Sequence, residues 1–169
     1  MFTQGIVVHE TYRSENGDWL TPAEVRIEGE GAERKATSIA TGRQVTIGPI
    51  EKMSKSRKNV VDPDDIIAHY GADTARLFIV SDSPPDRDII WTEGGVAGAG
   101  RQVQRISRVI DQVAERNYTR NGKVPVFGPE ATALRRTAHK TLNSVGQCIE
   151  ALRYNVAVAH IYELTHDTA

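Results

Sequence analysis

The sequence has little of what marks a protein for export, for a membrane or for metal. One cysteine, Cys148, in 169 residues excludes an intramolecular disulfide and any multi-cysteine zinc or iron–sulfur site, and suits a reducing cytosol. No apolar run approaches the ~20 residues of a membrane span, and no basic stretch and apolar segment of signal-peptide form follows Met1. Neither a membrane span nor export is expected, and the sequon Asn117-Tyr118-Thr119 should stay idle. The histidines at 9, 69, 139, 160 and 166 lack close ligand spacing, so no metal site is predicted and they are expected at the surface or as caps. Charge of one sign is missing too: 21 Lys and Arg face 22 Asp and Glu, a net −1. The whole molecule therefore has no field that would draw in nucleic acid. What is there is an ordinary globular composition, 39% hydrophobic and 25% charged with 14 Gly and 7 Pro, which excludes disorder and collagen-like repeats. Two local positive clusters stand out, Lys52, Lys55, Arg57 and Lys58 in one stretch, and Arg101, Arg105 and Arg108 at helical spacing.

Residues 1–51 read as strands and turns, because short apolar alternations (Val25 and Ile27; Val45 and Ile47) are separated by glycine-bearing breaks. Asn16-Gly17 is the strongest hairpin signal, flanked by Tyr12 and Trp19, which could pack across it. A β-rich module is expected from about residue 10 to residue 50, with little core of its own. Residues 52–61 are basic and aperiodic, hence a loop. Asp62 is a good N-cap, Pro63 fits the first helical position, and Asp64 and Asp65 suit the positive helix end. That helix should stop at Gly71, and a second should run from about Ala72 to Val80, before Ser83-Pro84-Pro85.

After Thr92 a long helix is predicted to about Arg116. At ~100° per residue Val96, Val103, Ile106, Ile110 and Val113 share one side, and Arg101, Arg105 and Arg108 the other. Residues 117–129 read as a loop. Pro129 opens a helix whose Leu134, Ala138, Leu142, Val145, Ile149 and Leu152 form the seam of an antiparallel bundle, with Cys148 buried beside them. Asn155 can cap a third helix carrying Ala159, Ile161 and Leu164. Two and a half helices do not close a bundle, and residues 2–8 form an apolar segment with no partner strand in sight. An interior piece of a longer protein is therefore expected. The fold class is α+β: a β-rich module, a loop with short helices, and an incomplete helical bundle.

Lys52-Met53-Ser54-Lys55-Ser56 is the pentapeptide that class I aminoacyl-tRNA synthetases carry as their signature loop, and Arg57-Lys58-Asn59 and Val61-Asp62-Pro63 follow it. The chemistry suits these residue types. When a carboxylate attacks the α-phosphate of ATP, charge builds on the departing pyrophosphate, and flexible ammonium groups can follow it. Ser54 and Ser56 let a loop approach phosphates, and Met53 is a pliable anchor. Tyr70 to Phe78, Ser83 to Asp88 with Trp91, Gly95 to Ala99, Gln4 to Val7, His9 to Tyr12, His139-Lys140-Thr141 and Ile149 to Asn155 together resemble the leucyl-tRNA synthetases of bacteria. Near Gly100, Gln102 and Ser107, where that family often carries aromatic residues, this chain has none.

The resemblance implies catalytic roles for Lys52 and Lys55, and an ATP-binding loop of Lys52, Met53, Ser54, Lys55 and Ser56. Arg57, Lys58, Arg101, Arg105 and Arg108 become candidate tRNA contacts. It implies the end of a catalytic core at residues 1–9, a leucine-specific insert at 10–51, the loop and following helices at 52–92, and the start of an anticodon-binding domain at 93–169. The implied parent is a monomeric cytoplasmic ligase using ATP and Mg2+ on leucine and tRNA(Leu), with this piece inactive alone. The family's His-x-Gly-His signature does not occur in these residues. The alternatives are a free-standing RNA-binding module, disfavoured by the neutral charge, and the isoleucyl, valyl or methionyl homologue. Asp73 and Arg76 read as a surface ion pair, and Gly94, Gly95, Gly98 and Gly100 as close helix packing rather than a dinucleotide fingerprint.

Overall fold

The computed structural model describes residues 5–29, 31–115 and 126–168. The sequon, residues 2–4 of the first apolar segment, Arg116 and most of the loop expected after it lie outside the described residues. The chain is α+β and divides into two compact units, residues 5–69 with 87–92 and residues 70–86 with 93–168.

The first unit is a sheet built on β1 (Val7–Ser14), β2 (Trp19–Leu20), β3 (Val25–Glu28), β4 (Lys35–Ser38) and β5 (Gln44–Lys52), in the antiparallel order β2-β1-β5-β4-β3. A short β6 (Ile89–Ile90) runs parallel to the start of β1, pairing Val7 with Ile89 and Val8 with Ile90. The described end of the apolar segment thus has partner strands after all: Val7 and Val8 pair with β6 on one side, and Val8 with the end of β5 on the other. Ile6 N–H is held at 3.0 Å by Asp88 Oδ1, 82 residues further on, a distance along the chain at which local pattern carries no signal. Tyr12, Val25, Ala36 and Val45 form the core, with Leu20 and Ile47 against it.

The hairpin forms, in a different register from the one expected. Ser14 and Asp18 close a three-residue loop, Gly17 takes φ 87°, and the extra residue puts Trp19 opposite Arg13 and Leu20 opposite Tyr12. Because side chains alternate along a strand, this sends Trp19 to the face opposite Tyr12. Further along, Gly48 and Pro49 stand together opposite Thr11, a bulge that lets a proline sit in β5. Thr11 Oγ1 donates to the Pro49 carbonyl at 3.1 Å. After the bulge β5 continues to Lys52, where the basic loop begins. The loop contains a single 3-10 turn, Lys55–Arg57, and leads to α1 (Pro63–Tyr70). Asp62 caps α1 as predicted, its Oδ1 accepting from Asp64 N–H at 2.9 Å.

The second unit contains α2 (Ala72–Asp82), α3 (Glu93–Glu115), α4 (Pro129–Glu150) and α5 (Tyr154–Thr168). Gly71 ends α1 with φ 83°. The helix α2 packs on α3 and α5, and α4 packs on α5. Of the glycines in α3, Gly100 lies against α2: a Cβ there would meet Thr74 Cγ2 at 3.4 Å. The α3 stripe is buried only at its start. Val96 is fully buried and Val103 and Ile106 are half-buried, whereas Ile110 and Val113 are 60% and 63% exposed. The seam of α4 is also displaced from the expected one. Thr137, Ala138, Thr141, Ser144 and Val145 are half-buried and Cys148 is buried, while Leu134, Leu142, Ile149 and Leu152 are exposed. Small side chains let α4 approach α5, which buries Ala157, Val158 and Thr165. The helix α4 ends on Leu152 in the left-handed region, φ 56°, with Arg153 N–H donating to the Cys148 carbonyl at 2.8 Å. Since α5 starts at Tyr154, Asn155 lies within its first turn and is no cap; its Oδ1 is buried without a hydrogen-bond partner. Asp73 and Arg76 make the expected exposed pair at 3.7 Å.

Candidate functional site

The basic loop leaves the sheet at the end of β5 and turns once. Ser54, extended, starts the turn: its Oγ accepts from Arg57 N–H at 3.3 Å and lies 2.9 Å from Ser56 Oγ. Lys58 closes the turn in the left-handed region, φ 52°. Lys52, Lys55, Ser56 and Lys58 are exposed, and Met53, Ser54 and Arg57 are half-buried. Glu51, Lys52, Met53, Ser54 and Arg57 line an open groove of about 430 Å³. The groove thus brings together Lys52, Met53, Ser54 and Arg57 of the loop residues singled out from the sequence, while Lys55, Ser56 and Lys58 are not among its lining residues; the side chains of Lys52, Lys55 and Lys58 are all exposed.

Asn59, at the exit of the loop, is 0% exposed. Its Oδ1 accepts from Ser54 N–H at 2.8 Å. Its Nδ2 faces three carbonyl oxygens, those of His9 and Glu51 at 3.3 Å and that of Lys52 at 3.4 Å. One side chain thus ties the entry of the loop, its exit and the β1–β5 seam. In the sequence Asn59 stands out only as part of the pattern that follows the pentapeptide. The available signal was its chemistry: asparagine at a turn commonly bonds nearby backbone. His9 departs from expectation as well, since it is buried rather than superficial.

Arg57 pairs with Glu51, and its guanidinium lies 6.0 Å from the Trp19 ring, over which Arg13 stacks at 3.9 Å. The next residue of β1 after His9 is itself fixed. Arg34 grips Glu10 with two hydrogen bonds, 2.6 and 2.8 Å, and Tyr12 Oη donates to the same carboxylate at 3.1 Å. The Arg34 bonds hold the Glu10 carboxyl below its usual range, outweighing partial burial, which acts the other way. They raise Arg34 in turn.

Arg101, Arg105 and Arg108 belong to the other unit, exposed along α3. Arg105 borders an open hollow of about 500 Å³ with Gln102, Tyr162, Glu163 and His166. Burial pushes the Tyr162 phenol up, against a hydrogen bond with Ser81. Among the described residues no group of three His, Cys, Asp or Glu side chains is placed to hold a metal ion, and no helix is long and apolar enough to cross a membrane.

The family model for class I tRNA synthetases (I, L, M and V) matches residues 45–92, which span β5, the loop, α1, α2 and β6. Leucine–tRNA ligase of Chelativorans sp. is 56% identical over 167 residues, 99% of this chain and 19% of its own length. That of Nitrobacter winogradskyi is 54% identical over 170 residues, 100% of this chain and 19% of its own length. The chain therefore spans about a fifth of the curated relatives it matches. In fold it is similar to the crystal structure of the Agrobacterium radiobacter K84 LeuRS in a ternary complex with tRNA and LeuAMS, with a TM-score of 0.62 and 22% identity over 69% of this chain and 15% of that one. Relatives named for one activity match this chain over nearly its whole length at 50–56% identity, and the class I model falls on the strand and loop that present Lys52 and Lys55; from end to end the chain is similar to a segment of leucine–tRNA ligases.

Proposed function

We propose that this chain is the signature-loop segment of a leucine–tRNA ligase that activates leucine with ATP to leucyl-adenylate and transfers it to tRNA(Leu). The observation that carries this reading is the loop itself: Lys52 and Lys55 stand exposed on a turn whose two ends are tied to the sheet through Asn59. A leucine carboxylate oxygen attacks the α-phosphorus of ATP, the bond from that phosphorus to the α,β-bridging oxygen breaks, and negative charge gathers on the departing pyrophosphate. Ammonium groups on a tethered loop stabilise that charge where it develops, which lowers the barrier rather than merely tightening binding. On this reading Lys52 to Ser56 meet the phosphates of ATP. On the same reading the reaction uses Mg2+ with the ATP, and what this loop supplies is cationic side chains.

The β arm of residues 10–51 corresponds, on the same reading, to a leucine-specific insert, and residues 93–169 to the start of the anticodon-binding helices. Arg57, Lys58, Arg101, Arg105 and Arg108 are the phosphate-contact candidates for tRNA. The ligase works in the cytoplasm as a monomer, and this segment alone forms no leucyl-adenylate because it lacks what positions ATP and leucine.

Lys55→Ala in the whole ligase tests the assignment. Adenylation should fall by roughly 10²- to 10³-fold, with leucine affinity and the transfer of preformed leucyl-adenylate to tRNA little changed, since no pyrophosphate leaves in the second step. Lys55→Arg should restore part of the rate, because a planar fork replaces a compact point charge poorly. Equal losses in activation and transfer would refute the role.

A further inference from the structure

We propose that Asn59 is a positioning residue for the adenylation step, fixing the place from which Lys52 and Lys55 act; this rests on the reading of the loop given above. The amide is completely buried and spends both of its ends on backbone. Its oxygen takes the N–H of Ser54, the residue between the two lysines that starts the turn. Its nitrogen has two protons to share among the carbonyls of His9, Glu51 and Lys52. Glu51 and Lys52 are the last residues of β5, and His9 pairs with Glu51 across the ladder. Asn59 therefore references the turn to the end of the β1–β5 seam, from inside the loop and without touching solvent.

Only an amide of this length does both jobs. Aspartate keeps the acceptor for Ser54 but sets carboxylate oxygen against three carbonyls. Alanine leaves the N–H and the carbonyls without this partner, and glutamine adds a methylene to a side chain that is already fully buried. Each change frees the turn to shift relative to the sheet while leaving both ammonium groups chemically intact. Displacement of a catalytic group by about 1 Å costs roughly 10²-fold in rate. The effect belongs to the step in which Lys52 and Lys55 act, and not to leucine recognition or to transfer.

The test uses the full-length ligase with Asn59→Asp and Asn59→Ala, each compared with the unsubstituted enzyme. Three quantities are measured: leucine-dependent ATP–pyrophosphate exchange, transfer of preformed leucyl-adenylate to tRNA, and the melting temperature. The expected result is a loss of roughly 10²-fold in kcat for exchange, with KM for leucine and the transfer rate within about twofold. Asn59→Asp, of the same size as the native residue, carries the comparison if Asn59→Ala melts early. Parallel loss in both half-reactions, loss of folding in both variants, or no loss in either would overturn the positioning role. Absence of leucine-dependent exchange in the unsubstituted enzyme would instead defeat the underlying assignment.

Discussion

The two units use their apolar residues differently. In the sheet, Tyr12, Val25, Ala36 and Val45 are buried together. In the helices, Ile110, Val113 and Leu142 are 60%, 63% and 69% exposed, although the sequence writes them in stripes as regular as any in the chain. In the sheet, backbone pairing in the order β2-β1-β5-β4-β3 fixes the register of each strand, and the register decides which side chains share the core face. A helix satisfies its backbone alone, and whether its stripe is covered depends on which neighbours reach it. Apolar periodicity therefore predicts which side of a helix can pack, and not how far along it packing extends.

Substitutions that split the two units make this contrast measurable. Both tryptophans, Trp19 and Trp91, belong to the first unit, so their fluorescence during urea unfolding follows the sheet, while far-UV circular dichroism is dominated by the helices. The largest effect is expected for Tyr12→Ala, which empties the centre of the sheet core: about 3–5 kcal/mol lost from the fluorescence transition, with the helical transition unmoved. A shared shift of both transitions would show that the units unfold as one.

Glu10→Gln should be milder, about 1 kcal/mol, because Arg34 and Glu10 are partly exposed and solvent screens the pair. Its signature is the pH dependence. Glu10 has its carboxyl lowered in the folded state from the ordinary 4.5, so the stability it contributes is fully present above that value and is lost as pH falls through the lower, folded value. The fluorescence midpoint should drop on acidification through this window in the native chain, and less steeply in Glu10→Gln. Some slope should remain, because the Thr21 backbone N–H, with its hydroxyl, lowers Glu24 in the same way. An unchanged slope would place the acid sensitivity elsewhere. Smallest is Leu142→Ala, expected within about 0.5 kcal/mol in the dichroism transition; a loss of several times that would mean that the exposed stripe of α4 is covered in solution.

Much of the site was legible because its signals are local. Asp62-Pro63 marks the start of α1, Gly71 its end, Pro129 the start of α4, and the pentapeptide at 52–56 marks the loop. Three kinds of feature were not. Register turned on one residue, since the three-residue loop at Gly17 moves Trp19 to the other face from Tyr12. Pairing of β1 with β6 depends on residues far apart in the chain. Roles set by burial were hidden as well: Asn155, a plausible cap by type, lies in the first turn of α5 with its Oδ1 buried and unbonded, and Asn59, a polar residue in a basic loop, is more completely buried than most of the apolar ones.

Lys58 carries a cost of its own at the exit of the loop. A residue with a side chain gives up roughly 1–2 kcal/mol in the left-handed region, and Lys58 occupies it at φ 52° beside Asn59. The left-handed residue closes the 3-10 turn, and the chain leaves it directly into the buried amide of Asn59. Lys58→Gly removes that cost while leaving every atom of Asn59 in place, so the turn is expected to gain up to about 1 kcal/mol of local stability, read as slower amide hydrogen exchange at Arg57 and at position 58.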